Sequence, residues 1–160
     1  MATVLSISAS LFVAYLVVLI ALFGVPASIS DSFYLLGGKK KGAGYVFTIW
    51  CYIVGISVMA MMFELSAGFW YQFLGLFAGG GLCFVGTAPL FKSHEKTIHF
   101  ASAAVCAITS LLWIIFAGYW LILLLITSLS VGILSIKGNP TFWIEASLFA
   151  SMYFTLFWML

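Results

Sequence analysis

The sequence predicts an all-α fold, a polytopic transmembrane helical bundle of six spans with both ends of the chain on the outer side (N-out/C-out). Three observations predict it. Of 160 residues, 65% are hydrophobic and 6% charged; the apolar residues gather in stretches long enough to cross a bilayer; and the lysines fall in alternate loops. A soluble domain carries about one quarter charged residues, so burial in lipid has to replace a water-excluded core. A chain of this length makes one domain, residues 1–160.

The first span covers residues 3–24, enough for a hydrocarbon core that needs about 20 apolar residues. Val25-Pro26 ends it. A cleaved leader would begin with a basic segment, whereas Met1 to Ser10 carries no charged side chain, so this helix is expected to stay in the protein. Residues 27–44 mix Ser28, Ser30, Asp31 and Ser32 with Phe33, Tyr34, Leu35 and Leu36 ahead of Lys39-Lys40-Lys41. That pattern suits a short interfacial helix capped by serine and followed by a glycine-rich turn.

The second span covers 45–63, interrupted by Glu64, Ser66 and Gly68, and the third covers 69–91. Lys92, Ser93, His94, Glu95 and Lys96 form the most polar loop of the chain. Ile98 to Ile136 contains no charged residue and a single histidine, His99. An unbroken helix of that length would measure about 58 Å against a hydrocarbon core of roughly 30 Å. The segment therefore folds back, and Gly118, followed by Tyr119 and Trp120, supplies a turn residue and an interfacial aromatic pair. Spans four and five become 97–117 and 119–136. Lys137-Gly138-Asn139-Pro140 opens the sixth, 140–160, with Asn139 as N-cap and Pro140 at the first helical position.

Lys39, Lys40 and Lys41 lie in the first loop, Lys92 and Lys96 in the third, and Lys137 in the fifth; the second and fourth loops have none. Positive residues are retained on the cytoplasmic side, which puts the lysine-bearing loops inside a plasma (inner) membrane. Treating 98–136 as one span would place Lys96 and Lys137 on opposite faces. Trp70, Tyr71, Tyr119 and Trp120 then fall at the outer interface and Trp143 near the inner one, while Trp50 and Trp113 sit deeper as packing residues.

That topology gathers Asp31, His94, Glu95, His99 and Glu145 in the cytoplasmic half, leaving Glu64 at the other face. Glu145 is five residues beyond Pro140, about 7.5 Å into its helix, and His99 is its natural partner. An intramembrane carboxylate is a functional candidate by default, and here it points to a vestibule for a proton, ion or small solute. The plainer reading has Glu145 pairing with a loop lysine or capping a neighbouring helix, with the histidines among lipid headgroups. Glu95 and His99 have the four-residue spacing of a metal or acid–base pair, but His94 and His99, five apart, turn away from each other. The sequence calls for no cofactor and no resident metal.

Span three holds Gly75, Gly79, Gly80 and Gly81, with Gly75 and Gly79 in GxxxG spacing. These are helix-packing residues or the seam of a homo-oligomer. Ser102, Cys106 and Ser110 follow four-residue spacing in span four, and Thr127, Ser128 and Ser130 lie in span five; packing suits them better than pore lining. Cys51, Cys83 and Cys106 stand singly in apolar stretches as small hydrophobes.

Several functions are excluded. Six lysines without arginine make no phosphate-gripping patch, so nucleic acid is not a partner. No span holds a lysine for a retinal Schiff base, and no arginine is present for a voltage sensor. A small transporter or channel using the cytoplasmic His/carboxylate cluster is the leading expectation, with the lipid bilayer as the main partner. The alternatives are a membrane-embedded enzyme acting on lipid at the inner leaflet, with His94 or His99 as base and Asp31 or Glu145 orienting it, and a non-catalytic oligomeric or pore-forming assembly.

Overall fold

The computed structural model describes residues 1–120, 122, 126, 127 and 138–160. Most of the fifth predicted span, together with Ser128, Ser130 and Lys137, lies outside these residues. The elements are α1 (Ala2–Phe23), α2 (Ser32–Lys39), α3 (Tyr45–Leu65), α4 (Leu74–Thr87) continued by a 3-10 segment (Ala88–His94), α5 (Glu95–Phe116) and α6 (Pro140–Met159). No strand occurs among the described residues. Among the described residues, five helices are long and apolar enough to cross a membrane: α1, α3, α4 with its extension to Phe91, α5 and α6. Their outer faces expose Ile7, Val18, Ile49, Phe84, Ile108 and Phe154. An apolar surface of that extent suits lipid and not water, as expected of an integral membrane protein.

The helix ends have local causes. Gly24, at φ 71°, ends α1 with its N–H on Ile20 O at 2.8 Å. The residue preceding α2 is Asp31, which corrects the expected serine cap. Its carboxylate turns back to accept the Ser28 N–H at 3.2 Å, while Ser28 Oγ accepts the Asp31 N–H at 3.2 Å, a reciprocal turn that competes with capping.

The third long helix starts at Leu74 where the apolar run predicts Phe69, because residues 66–73 are wound into turns. Side chains hold those turns on the carbonyl end of α3: Ser66 Oγ donates to Met62 O at 2.6 Å and Gln72 Nε2 to Phe63 O at 3.0 Å. At the end of α5, Gly118 takes φ 89°, and the Gly118 and Tyr119 N–H groups bond Ile115 O and Ile114 O, each at 3.0 Å. This is a left-handed glycine stop at the position expected for the fold-back. Asn139 and Pro140 begin α6 as the sequence predicts, but the Asn139 amide donates to Val25 O at 3.0 Å and does not cap its own helix.

Glycine decides the closest helix contact. A Cβ on Gly79 would collide with Gly55 O and Met59 Cβ, one on Gly75 would lie 2.9 Å from Met62 Cβ, and one on Gly86 2.5 Å from Cys51 Cβ. α3 and α4 thus touch backbone to backbone, the arrangement that small residues permit in lipid, where dispersion replaces the hydrophobic effect as the driving force. Thr48 Oγ1 donates across the same interface to Gly86 O at 2.7 Å. Gly81 faces α5 instead, where a Cβ would sit 2.9 Å from Cys106 N.

α1 and α6 are antiparallel neighbours joined by polar contacts. Ser8 Oγ and the Tyr153 hydroxyl share a hydrogen bond of 2.7 Å at one end, and the Asn139–Val25 bond closes the other. Along α6 the hydroxyls of Ser147, Ser151 and Thr155 each donate to a carbonyl of the preceding turn, so this buried stripe satisfies itself.

Candidate functional site

At the end of the bundle where α1 runs into α2, α3 begins, α4 runs into α5, and α6 begins, four chain segments converge on one cavity of about 650 Å³. Asp31 comes from the turn before α2, Glu95, Lys96 and His99 from the first two turns of α5, and Glu145 from the second turn of α6. Glu95 and His99 share a face because four residues return the helix to nearly the same azimuth. Glu145 arrives from the opposite wall through the position of Pro140, which fixes where α6 starts counting.

The Glu145 carboxylate is anchored. Its Oε2 accepts the backbone N–H of Ile29 at 2.6 Å, a charge-assisted contact that ties the α1–α2 connection to α6. Ile29 is buried, so without this acceptor its N–H would be stranded from water. The anchor resembles the expected capping role in kind, with a loop amide as donor; of the loop lysines expected as partners, Lys137 and the Lys92 side chain lie outside what is described. Among the described residues no other hydrogen bond reaches Glu145, and its side chain lines the cavity.

Below the vestibule lies a second, smaller chamber of about 80 Å³. Ser30, Phe47, His99 and Glu145 line both spaces and form the neck between them. Past the neck the walls are apolar, built from Leu82, Ala103, Cys106, Ala107 and Phe149, with Trp50 at one side. Trp50 is 6% exposed and its Nε1 has no hydrogen-bond partner among the described residues. It stacks on Tyr15 with ring centroids 4.6 Å apart and packs near Phe47 and Phe149 at 6.0 Å each. Tyr15 is itself held by donating to Ser32 Oγ at 2.6 Å.

Four of the five sequence candidates, Asp31, Glu95, His99 and Glu145, therefore line one cavity. His94 does not: it is the last residue of the 3-10 segment, exposed, one position before α5. Glu64 is exposed on the last turn of α3, at the opposite end. Among the described residues no group of three or more His, Cys, Asp or Glu side chains is placed to hold a metal. The three cysteines are free thiols.

Of the glycines, Gly75 and Gly79 are occupied by α3 and Gly81 by α5 of the same chain, while a Cβ on Gly80 would meet nothing within 4 Å. Sequence reasoning passed over Trp50, treated as packing, and Ser30 and Lys96, treated as loop. A tryptophan amid an apolar span carries no signal separating packing from lining, and its place on the chamber wall appears in three dimensions alone.

At the other end of the bundle, Trp70 packs edge-on against Phe116 with ring centroids 4.5 Å apart, and Trp113 donates its indole N–H to Ser66 Oγ at 3.2 Å. Trp143, expected at the inner interface, stands at the lysine end beside Phe142.

Comparison with known protein families, with curated proteins and with solved structures returns no match.

Proposed function

We propose that this chain is a six-span membrane protein, N-out and C-out, that binds and conducts a proton, ion or small solute through the vestibule at its lysine-bearing, cytoplasmic end. One observation carries the reading: a carboxylate anchored on a backbone amide, Glu145 on Ile29, lines together with His99 both the larger cavity that holds Asp31, Glu95 and Lys96 and a smaller, almost wholly apolar one. A few convergent polar groups at the mouth of an apolar pocket are the usual make-up of a small-ligand site. An intramembrane ionisable residue facing the bundle interior marks a substrate or ion path.

The test is flux in sealed liposomes driven by a pH gradient. Glu145→Gln and His99→Ala are each expected to abolish it, and undiminished flux in both would remove the cluster as its site. Orientation is read separately: a label at Lys40 is expected to react only from the cytoplasmic face, and labelling from outside would invert the topology.

A second reading, an enzyme acting on lipid, is favoured by a lateral apolar groove of about 360 Å³ between α1 and α3 that ends on Tyr15 and Trp50. Trp50 lines both this groove and the inner chamber, so it stands between lipid and the His99/Glu145 pair. Turnover of a lipid by the purified chain, lost in His99→Ala, would favour this reading over transport.

A further inference from the structure

We infer that the ligand of this site is a small organic cation, an ammonium group carrying a short alkyl chain, with the charged head at Glu145 and the alkyl part in the inner chamber. The inference rests on the transport reading above and narrows it to a substrate class.

Charge comes first. Among the described side chains, the vestibule is lined by three carboxylates, Asp31, Glu95 and Glu145, and by Lys96 and His99. Lys39, Lys40 and Lys41 are not part of its lining. An anion entering here would face the carboxylates, whereas a cation finds them on three separate elements.

The neck then fixes where the head stops. Because the Ile29 N–H holds Glu145 Oε2, the carboxylate does not swing freely, and an ammonium N–H can be received without first ordering the side chain. Phe47 lines the same neck, and Trp50 and Phe149 stand just below it. Aromatic faces beside a fixed carboxylate suit a cation in a partly desolvated site.

Shape and size select the remainder. The inner chamber is walled by Leu82, Cys106, Ala107 and Phe149, so it receives carbon more readily than charge. Its volume of about 80 Å³ is roughly half that of a cavity able to hold a benzene ring, which suits a chain of about three carbons. A bare metal ion would leave this chamber unused. Trp50, on the chamber wall, buries an indole Nε1 that has no hydrogen-bond partner among the described residues, where native buried donors are nearly always satisfied.

The experiment is calorimetric titration of the full chain in phosphatidylcholine nanodiscs with n-propylammonium, methylammonium and propionate as probes. Saturable binding of n-propylammonium, with propionate weaker by about tenfold or more, is the expected result. Glu145→Gln keeps an oxygen for the Ile29 N–H while removing the charge, and it should weaken n-propylammonium by about tenfold to a hundredfold. Ala107→Leu, which narrows the chamber, should weaken n-propylammonium while leaving methylammonium almost unchanged.

Propionate binding as tightly as n-propylammonium, or equal losses for both amines in Ala107→Leu, overturns the inference. Should Glu145→Gln unfold the chain, Glu95→Gln replaces it, with a smaller loss expected and no loss counting against the proposal. Glu145-dependent proton or ion flux without any n-propylammonium binding would sink the substrate class and leave the transport reading standing. Absence of both flux and binding would remove the two together.

Discussion

Between α3 and α4 two backbones meet through glycine; between α1 and α6 the meeting is made by side-chain hydrogen bonds. The first interface has almost no space in it, as the collisions awaiting a Cβ at Gly55, Gly75, Gly79 and Gly86 testify. The second is spanned by Ser8–Tyr153, Ile29–Glu145 and Asn139–Val25, and the larger cavity opens at the Ile29–Glu145 contact, while the smaller is walled by α3, α4, α5 and α6. Close packing gives rigidity without any polar group, whereas hydrogen bonds fix two helices at a few points and allow hollow space in between. The mouth of the site lies where the chain gives up packing for polar fastening.

Substitution at Gly79 should separate the two interfaces most sharply. Gly79→Leu has to displace Gly55 O and Met59, and a loss of about 3 kcal/mol or more is expected from overpacking against backbone, read as unfolding at lower denaturant in mixed micelles. A fully folded Gly79→Leu that merely dissociates an oligomer would mean that the seam faces another protomer. Next in size is Glu145→Ala, which strands the buried Ile29 N–H and should cost about 1–2 kcal/mol. The comparison breaks if this variant leaves stability untouched.

Asn139→Ala removes the fastening at the lysine end and should lower stability by about 0.5–1 kcal/mol in the same assay. A larger fall than Glu145→Ala produces would relocate the main fastening from Ile29 to Val25. Gly80→Ala, one residue from the most sensitive position, is expected to be neutral or stabilising by up to about 1 kcal/mol, since a Cβ there meets nothing and alanine favours the helix. Marked destabilisation would show that Gly80 faces a partner molecule.

Much of the fold could be read from composition because lipid enforces a coarse grammar of about 20 apolar residues per helix. Gly24, Gly118 and Pro140 punctuate it where their backbone chemistry predicts. The start of α4 was not legible, since Phe69 to Phe73 is as apolar as a span. What keeps these residues out of the helix is a set of bonds from Ser66 and Gln72 to α3 carbonyls, invisible in a hydropathy profile. For the candidate site, the segments that carry lysine also carry Asp31 and Glu95, with Glu145 in the second turn of the helix that follows Lys137, and that shared address was enough to name them. The neck and the inner chamber were not, because they depend on which faces of α3, α5 and α6 point inward, and helices apolar on every side leave no periodic mark of that.

Ser8 and Tyr153 are 145 positions apart, and Ile29 and Glu145 are 116 apart. During synthesis α1 can settle against α3 early, yet every hydrogen bond it makes to α6 waits until the ribosome has delivered the last described helix. Loop-closure entropy of that reach is met late. The first helix produced is thus among the last to be secured, and a nascent chain halted before Pro140 would hold a formed glycine interface beside a vestibule that lacks one wall. Ribosome-stalled intermediates should therefore resist proteolysis within α3 and α4 well before they do so at the α1–α2 connection.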